Sequence, residues 1–280
     1  MKCTFIVLLL VCTAQPQIVT HPITQVEACK RFLDSVVKVD TDVMHGTGFI
    51  VDSNGWIITA LHVVADREML AGYGNITVTV AGHRQPIPAN IMSPLDKLAS
   101  ARDFAVLKID KTQLPHLELG SEDGIELGSP ISIIGFPLAA ILPIATAMPK
   151  FCLSGTVAAQ TSFPLGNLNF LHTVYFQGVS IKGVSGAPII SLESGKVIGI
   201  VTTKLAGINK SLEEVENDIN TIPHVEMGLG PGRGVVGSLG QVIDVLDTQL
   251  ANGLGSGTGA TDASYALKKA QRDYHGHSKQ

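Results

Sequence analysis

A fold built mainly of short β-strands, a barrel or a sandwich, is what this sequence predicts, and three observations carry it. Glycine (29) and proline (14) are plentiful over 280 residues while aromatic residues make up only 5%, the mark of many turns between short elements. The segments 35–39, 48–52, 56–60, 76–80, 104–109, 130–135, 155–159, 172–176, 187–191 and 197–203 are short, rich in β-branched residues and bounded by Gly, Asn, Asp or Pro, which reads as strand. Helical periodicity is concentrated in 239–251, where Leu239, Val242, Ile243, Leu246 and Leu250 recur at helical spacing before Gly253. Strands at this spacing with so few helices argue against alternating βαβ units.

Size and charge narrow the field further. A hydrophobic content of 45% supplies a sizeable core for one large domain or two small ones, and a net charge of −4 leaves no electrostatic footprint for nucleic acid. Met1-Lys2, an apolar run over 5–11 and Cys12-Thr13-Ala14 match the three regions of a secretory signal, so residues 1–14 are expected to direct export, to the periplasm or outside the cell. That run is too short for a bilayer span. The uncharged, apolar stretch 129–149 is long enough for one, but Pro130, Gly135, Pro137, Pro143 and Pro149 would leave its backbone without partners in lipid. A buried strand over 130–135 followed by an apolar loop is expected instead, with no stable membrane span once the signal is removed.

Without the signal two cysteines remain, Cys29 and Cys152, either bridged or buried as free thiols. Asn75-Ile76-Thr77 and Asn209-Lys210-Ser211 are sequons that matter only where glycans are added. From 253 to 280 the composition turns to Gly, Ser, Thr and Ala and then polar, which reads as a flexible tail. His275 and His277 are too weak a pattern for a metal site.

The chemistry centres on "IKGVSGAPII", where Ser185 stands between glycines just ahead of a strand. A serine hydroxyl is a poor nucleophile unless a base takes its proton. The hairpin turning at Asn54-Gly55 delivers His62 to the end of a strand, and Asp103 stands at the mouth of another, Phe104-Ala105-Val106-Leu107. In this set Ser185 would attack a carbonyl, His62 would take and return the proton, and Asp103 would fix the imidazole tautomer. Without a side chain at Gly183 the backbone can turn so that the amides of Gly183 and Ser185 converge on an oxyanion. No cofactor is called for.

Taken with "GTGFIVDSNGWIITALHVV", "DFAVLKID", "LGSPISIIGFP", "LSGTVAAQ" and "GVSGAPIISLESGKVIGIV", the chain resembles the trypsin-like serine proteases, and within them the HtrA (Deg) branch, over about 35–243. The resemblance implies an all-β, chymotrypsin-like fold of two six-stranded antiparallel barrels, roughly 30–125 and 126–238, and the helix 239–251, within a protease domain of 15–252. His62 and Asp103 would come from the first barrel and Ser185 from the second. Val179, Ser180 and Ile181 would line one wall of the substrate pocket and Val201, Thr202 and Thr203 the other. With no acid at its base, the pocket would take small or aliphatic residues of a polypeptide substrate. Trimers are common in that branch, so a homo-oligomer is implied, although no interface is readable. A PDZ domain often follows the protease there, and the residues beyond Gly253 are too few for one.

Two departures stand out. Val184 and Ala187 replace the second and fifth residues of the usual Gly-Asn-Ser-Gly-Gly-Pro. Val184 cannot form the ion pair with a new N-terminus that trypsin's aspartate makes, so no zymogen switch of that kind is expected. Ala187 adds a methyl that would disturb the serine loop, which keeps a catalytically silent, peptide-binding pseudoprotease in play. An α/β-hydrolase would need a helix directly after Ser185 and the order Ser, acid, His; Pro188-Ile189-Ile190-Ser191 is strand chemistry.

Overall fold

The computed structural model describes residues 22–83, 85–137, 150–165, 169–178, 183–204 and 255–277. The signal expected over 1–14, the apolar stretch from 138 to 149, the sequon at Asn209 and the helix expected over 239–251 lie outside the described residues. Among the described residues no helix is long and apolar enough to cross a membrane.

Helix α1 (Gln25–Phe32) opens with a reciprocal cap, the Glu27 amide donating to Thr24 Oγ1 and the Thr24 amide to Glu27 Oε2. The first barrel then runs through β1 (Val36–Asp40), β2 (His45–Asp52), β3 (Trp56–Ala60), α2 (Leu61–Val64), the small hairpin β4 (Ala65–Asp66) and β5 (Ala71–Gly72), β6 (Thr77–Thr79), β7 (Ile87–Ile91), α3 (Lys97–Arg102) and β8 (Phe104–Ile109). Its strands are ordered β1-β2-β3-β8-β7-β6, all antiparallel, and β1 closes on β6 with Val39 opposite Val78.

The second barrel consists of β9 (Pro130–Gly135), β10 (Phe151–Leu165), β11 (Asn169–Gly178), β12 (Pro188–Ser191), β13 (Val197–Lys204) and β14 (Gly255–Gly259), with α4 (Ala260–His277) following. Here the order is β10-β11-β14-β13-β12-β9, closed where Leu153 of β10 faces Ile133 of β9. The all-β fold of two six-stranded antiparallel barrels with a C-terminal helix is therefore present.

Successive strand residues point to opposite faces, and the two faces feed different cores. Val37, Ile50, Ile57 and Leu107 fill the first barrel; Ile131, Ile133, Ile189 and Ile198 fill the second. Their neighbours Val36, Phe49, Ile58, Val106, Ile134 and Ile190 face outward into a third cluster shared between the barrels, which α1 and α4 cover with Phe32, Ala263 and Leu267. That double demand is why β3 is buried along its whole length.

The stretch expected as a flexible tail is a correction. Residues 255–259 form β14, so the second barrel takes a strand from beyond the expected limit of 238, and 260–277 form α4, the C-terminal helix that the structure describes. The sequence GSGTG has loop composition because side chains would not fit: a Cβ on Gly257 would lie 2.2 Å from Ile200 O and 2.7 Å from Ile189 Cδ1. Helix α4 buries Ala260, Ala263, Leu267 and Ala270, a stripe at helical spacing.

The question left open by the cysteines is resolved as a bridge, Cys29 of α1 to Cys152 of β10, with Cα atoms 5.8 Å apart. Gln25 Nε2 donates to Ser132 Oγ at 3.1 Å beside it. The partners are 123 positions apart, so the closed loop contains the whole first barrel. Replacing both cysteines by serine is expected to lower unfolding free energy by about 2–4 kcal/mol, read from denaturant titration without reductant; a change under about 0.5 kcal/mol would show the staple to be energetically idle.

Candidate active site

The single turn α2 at the end of β3 presents His62, and the C-terminus of α3 presents Asp103. Asp96 caps α3 by accepting from the Ala99 amide, and the helix stops at Asp103 in a left-handed conformation, φ 52°. Aspartate tolerates this region better than most residues. Asp103 is 3% exposed and meets His62 at two points: Oδ1 accepts from the His62 amide at 3.1 Å, and Oδ2 lies 2.9 Å from Nδ1. The Asp103 carbonyl in turn accepts from the Leu61 amide. A carboxylate against Nδ1 assigns the proton to that nitrogen and leaves Nε2 as the free base.

A third partner was not foreseen from the sequence. Arg67, from the turn after β4, places Nη1 3.4 Å from Asp103 Oδ2 and donates from Nη2 to Ser100 O at 2.8 Å, while Ser100 Oγ donates to Arg67 O. No motif marks Arg67; its five-residue distance from His62 was the sole signal.

Ser185 occupies the corner of a turn closed by Ala187 N donating to Val184 O at 2.8 Å. Gly183 (φ 99°) and Gly186 (φ 86°) take conformations that favour glycine, and space forbids side chains as well: a Cβ on Gly186 would lie 2.0 Å from Thr47 O, and one on Gly183 2.3 Å from Phe136 O. The turn is tied to β13 through Gly186 N to Val201 O and Val201 N to Ala187 O. It is tied to the first barrel through Thr47 N to Ser185 O at 2.8 Å. Gly46 lies in the gap between the two halves of the site, since a Cβ there would meet Val63 Cγ2 at 2.6 Å and Ser185 O at 3.0 Å. Ser185 is thus brought beside the residue that follows His62. Among the described residues no hydrogen bond joins the Ser185 hydroxyl to the imidazole.

The departures are absorbed by packing. Val184 is buried in the second barrel, and Ala187 is fully buried with its methyl over Gly135, where an added Cβ would come to 3.4 Å of it. With both departures in place, the turn is closed by the Ala187 amide donating to Val184 O. Of the expected pocket residues, Val179, Ser180 and Ile181 lie outside the described residues. Val201 packs into the second-barrel core, Thr202 follows it on β13 and is buried, and the backbone of Thr203 pairs with Ser256.

Behind Asp103 the C-terminal elements grip its neighbour. The Thr258 hydroxyl of β14 donates to Arg102 O, and Arg102 Nη2 lies 3.0 Å from Asp262 Oδ1 of α4. Burial raises the Asp262 carboxyl above its usual range, opposed by the His172 amide that donates to it and by Arg102. The loop-like composition of 253–259 hid this from the sequence.

The trypsin-like peptidase domain model matches residues 46–200. The probable periplasmic serine endoprotease DegP-like of Chlamydia pneumoniae is 29% identical over 166 residues, 59% of this chain and 30% of that protein. The mitochondrial serine protease HTRA2 of Drosophila pseudoobscura pseudoobscura is 29% identical over 168 residues, 59% and 35% of the respective chains. The chain thus spans about a third of the length of the curated relatives it matches. Among solved structures, the HtrA-type protease AlgW with a tripeptide superposes with a TM-score of 0.51 at 25% identity, over 64% of this chain and 54% of that one. The Rv3671c protease in its inactive form gives 0.51 at 21% identity over 67% and 88%, a likeness of fold. With the domain match running from the glycine beside Ser185 O to the strand behind the serine turn, the chain belongs to the trypsin-like peptidase family, in its HtrA branch.

Proposed function

We propose that the chain is a serine endopeptidase that hydrolyses polypeptides through Ser185, His62 and Asp103. The observation that carries this is the two-point clasp of His62 by buried Asp103, set one glycine away from the backbone of Ser185. His62 Nε2 takes the proton as Ser185 Oγ adds to the carbonyl carbon, while Asp103 holds the ring and stabilises its charged form. The N–H groups of Gly183 and Ser185 receive the oxyanion. The imidazolium then gives its proton to the departing amine as the C–N bond breaks, leaving an acyl-enzyme; His62 next takes a proton from the water that adds to the acyl carbon and returns it to Ser185 Oγ as that ester bond breaks and the acid leaves. In apo sites such contacts are commonly longer than in the substrate complex, so an unmade Ser185 to His62 bond is compatible with this sequence of steps.

That same unmade bond is the observation favouring the second reading, a silent peptide-binding cleft. Val179, Ser180, Ile181, Val201, Thr202 and Thr203 are assigned to the walls that receive the residue before the cleaved bond, small or aliphatic in kind. Export to an oxidising compartment fits the Cys29–Cys152 bridge, and the periplasmic names of the chlamydial relatives point the same way; equal recovery of the protein with and without residues 1–14 from the cytoplasmic fraction would count against export.

In casein digestion the wild type is expected to be active and His62→Ala and Ser185→Ala to fall by about 10⁴-fold or more. A fluorophosphonate probe should label wild type and not Ser185→Ala; folded wild type that neither labels nor digests casein is the silent binder. Among peptide substrates, those with Ala or Val before the cleaved bond are expected to be cut faster than those with Arg, and equal or faster hydrolysis after Arg would overturn the pocket assignment.

A further inference from the structure

Thr47 of β2 is fully buried, yet every polar atom it has is engaged. Its amide donates to Ser185 O at 2.8 Å, and its carbonyl accepts from Thr59 Oγ1 at 2.7 Å. Its hydroxyl donates to Gly183 O at 2.7 Å and accepts from the Phe136 amide at 3.0 Å. The hydroxyl proton has only one place to go, because the Phe136 N–H is itself a donor; the bond to Gly183 O therefore has a fixed direction. One first-barrel side chain thus joins two segments of the second barrel, the end of β9 and the serine turn.

The consequence lies in which peptide planes are held. The bond to Gly183 O fixes the Gly183–Val184 plane, and the bond to Ser185 O fixes the Ser185–Gly186 plane. Between them lies the Val184–Ser185 plane, which carries the Ser185 N–H. Gly186 backs onto Thr47 O so closely that a Cβ would sit 2.0 Å away, and a Cβ on Gly135 would reach within 2.9 Å of Thr47 Oγ1, so neither the turn nor β9 can be rebuilt with larger residues around this hydroxyl. We propose that Thr47 is a positioning residue for hydrolysis: it touches no substrate, but by holding the peptide planes on either side it sets the direction of the Ser185 amide, one of the two oxyanion donors, and of the Ser185 side chain. This rests on the hydrolytic function proposed above.

Thr47→Val keeps the shape and removes the hydroxyl, leaving Gly183 O and the Phe136 N–H without their partner. Losing one oxyanion donor typically costs about 10²–10³ in turnover. The expected result for the folded variant is a fall in kcat of about 10- to 10³-fold with KM within about threefold, matched by slower fluorophosphonate labelling. Thr47→Ser, which keeps the hydroxyl, should recover kcat to within about fivefold of wild type. A role in stability alone would lower the melting temperature of Thr47→Val while leaving kcat per labelled site unchanged, and that result overturns the proposal. Should Thr47→Val not fold, Thr47→Cys is held to the same criterion, with a fall of at least about tenfold expected because a thiol is a weak donor. Wild type that neither labels nor digests casein sinks the hydrolytic function and this role together; active wild type, inactive Ser185→Ala and unaltered kcat in Thr47→Val sink this role alone.

Discussion

Closing a sheet on itself satisfies its backbone hydrogen bonds internally, and that constraint shapes everything else in this molecule. A closed barrel has no edge strand to offer its neighbour, so the two barrels cannot be joined by a ladder. What joins them is apolar packing between outward faces, Val36, Phe49 and Val106 against Ile134 and Ile190, together with single polar contacts. Among the described residues, several of these contacts lie at the candidate site. Thr47 crosses from β2 to the serine turn and to β9, and Thr258 and Asp262 cross from β14 and α4 to Arg102.

The site inherits both the strength and the weakness of this arrangement. His62 and Asp103 lie within one barrel, and their relation is set by local structure: the one-turn α2, the capped α3 and the left-handed residue that ends it. Ser185 belongs to the other barrel, so its relation to His62 depends on interface geometry, on Gly46 having no side chain and on the amide of Thr47. The disulfide works at the same interface from the opposite end of the chain order. By fastening α1, which precedes the first barrel, to β10 of the second, it encloses the first barrel in a cross-linked loop.

What was legible in the sequence follows the same physics. Strands β3, β8 and β9 lie within the expected limits because their continuous apolar character, imposed by two cores, is the strongest signal a short strand can give. Strand β7 gives no strand signal in the sequence because Pro88 interrupts its pattern, although Ile87 and Ala89 face inward. Strand β14 has the composition of a loop because its glycines let neighbouring backbones approach, and crowding of that kind is set by distant residues such as Ile200. Helix α1 carries a local cue, Thr24 three residues before Glu27, whose signal is weaker than that of the strands around it. At the site, His62, Asp103 and Ser185 stood out because chemistry restricts their types, whereas Arg67 and Thr47 act through geometry that no local motif records.

The departures at Val184 and Ala187 are each accommodated by packing around a turn that the Ala187 amide and the Val184 carbonyl close. A larger residue at 187 requires space, and Gly135 on the adjacent strand β9 supplies it; the methyl then fills volume that would otherwise be void beneath the serine turn. An apolar residue at 184 removes a polar anchor, and burial of its side chain among Ile133, Val157 and Phe176 anchors the turn from inside the second barrel instead. Neither change alters the two bonds from Thr47, which hold carbonyls and are indifferent to the side chains beside them. Backbone-directed contacts of this type let the turn tolerate substitution at its less constrained positions. The same logic makes the glycines at 183 and 186 the least replaceable, since there the obstacle to a side chain is the backbone of Phe136 and of Thr47 itself.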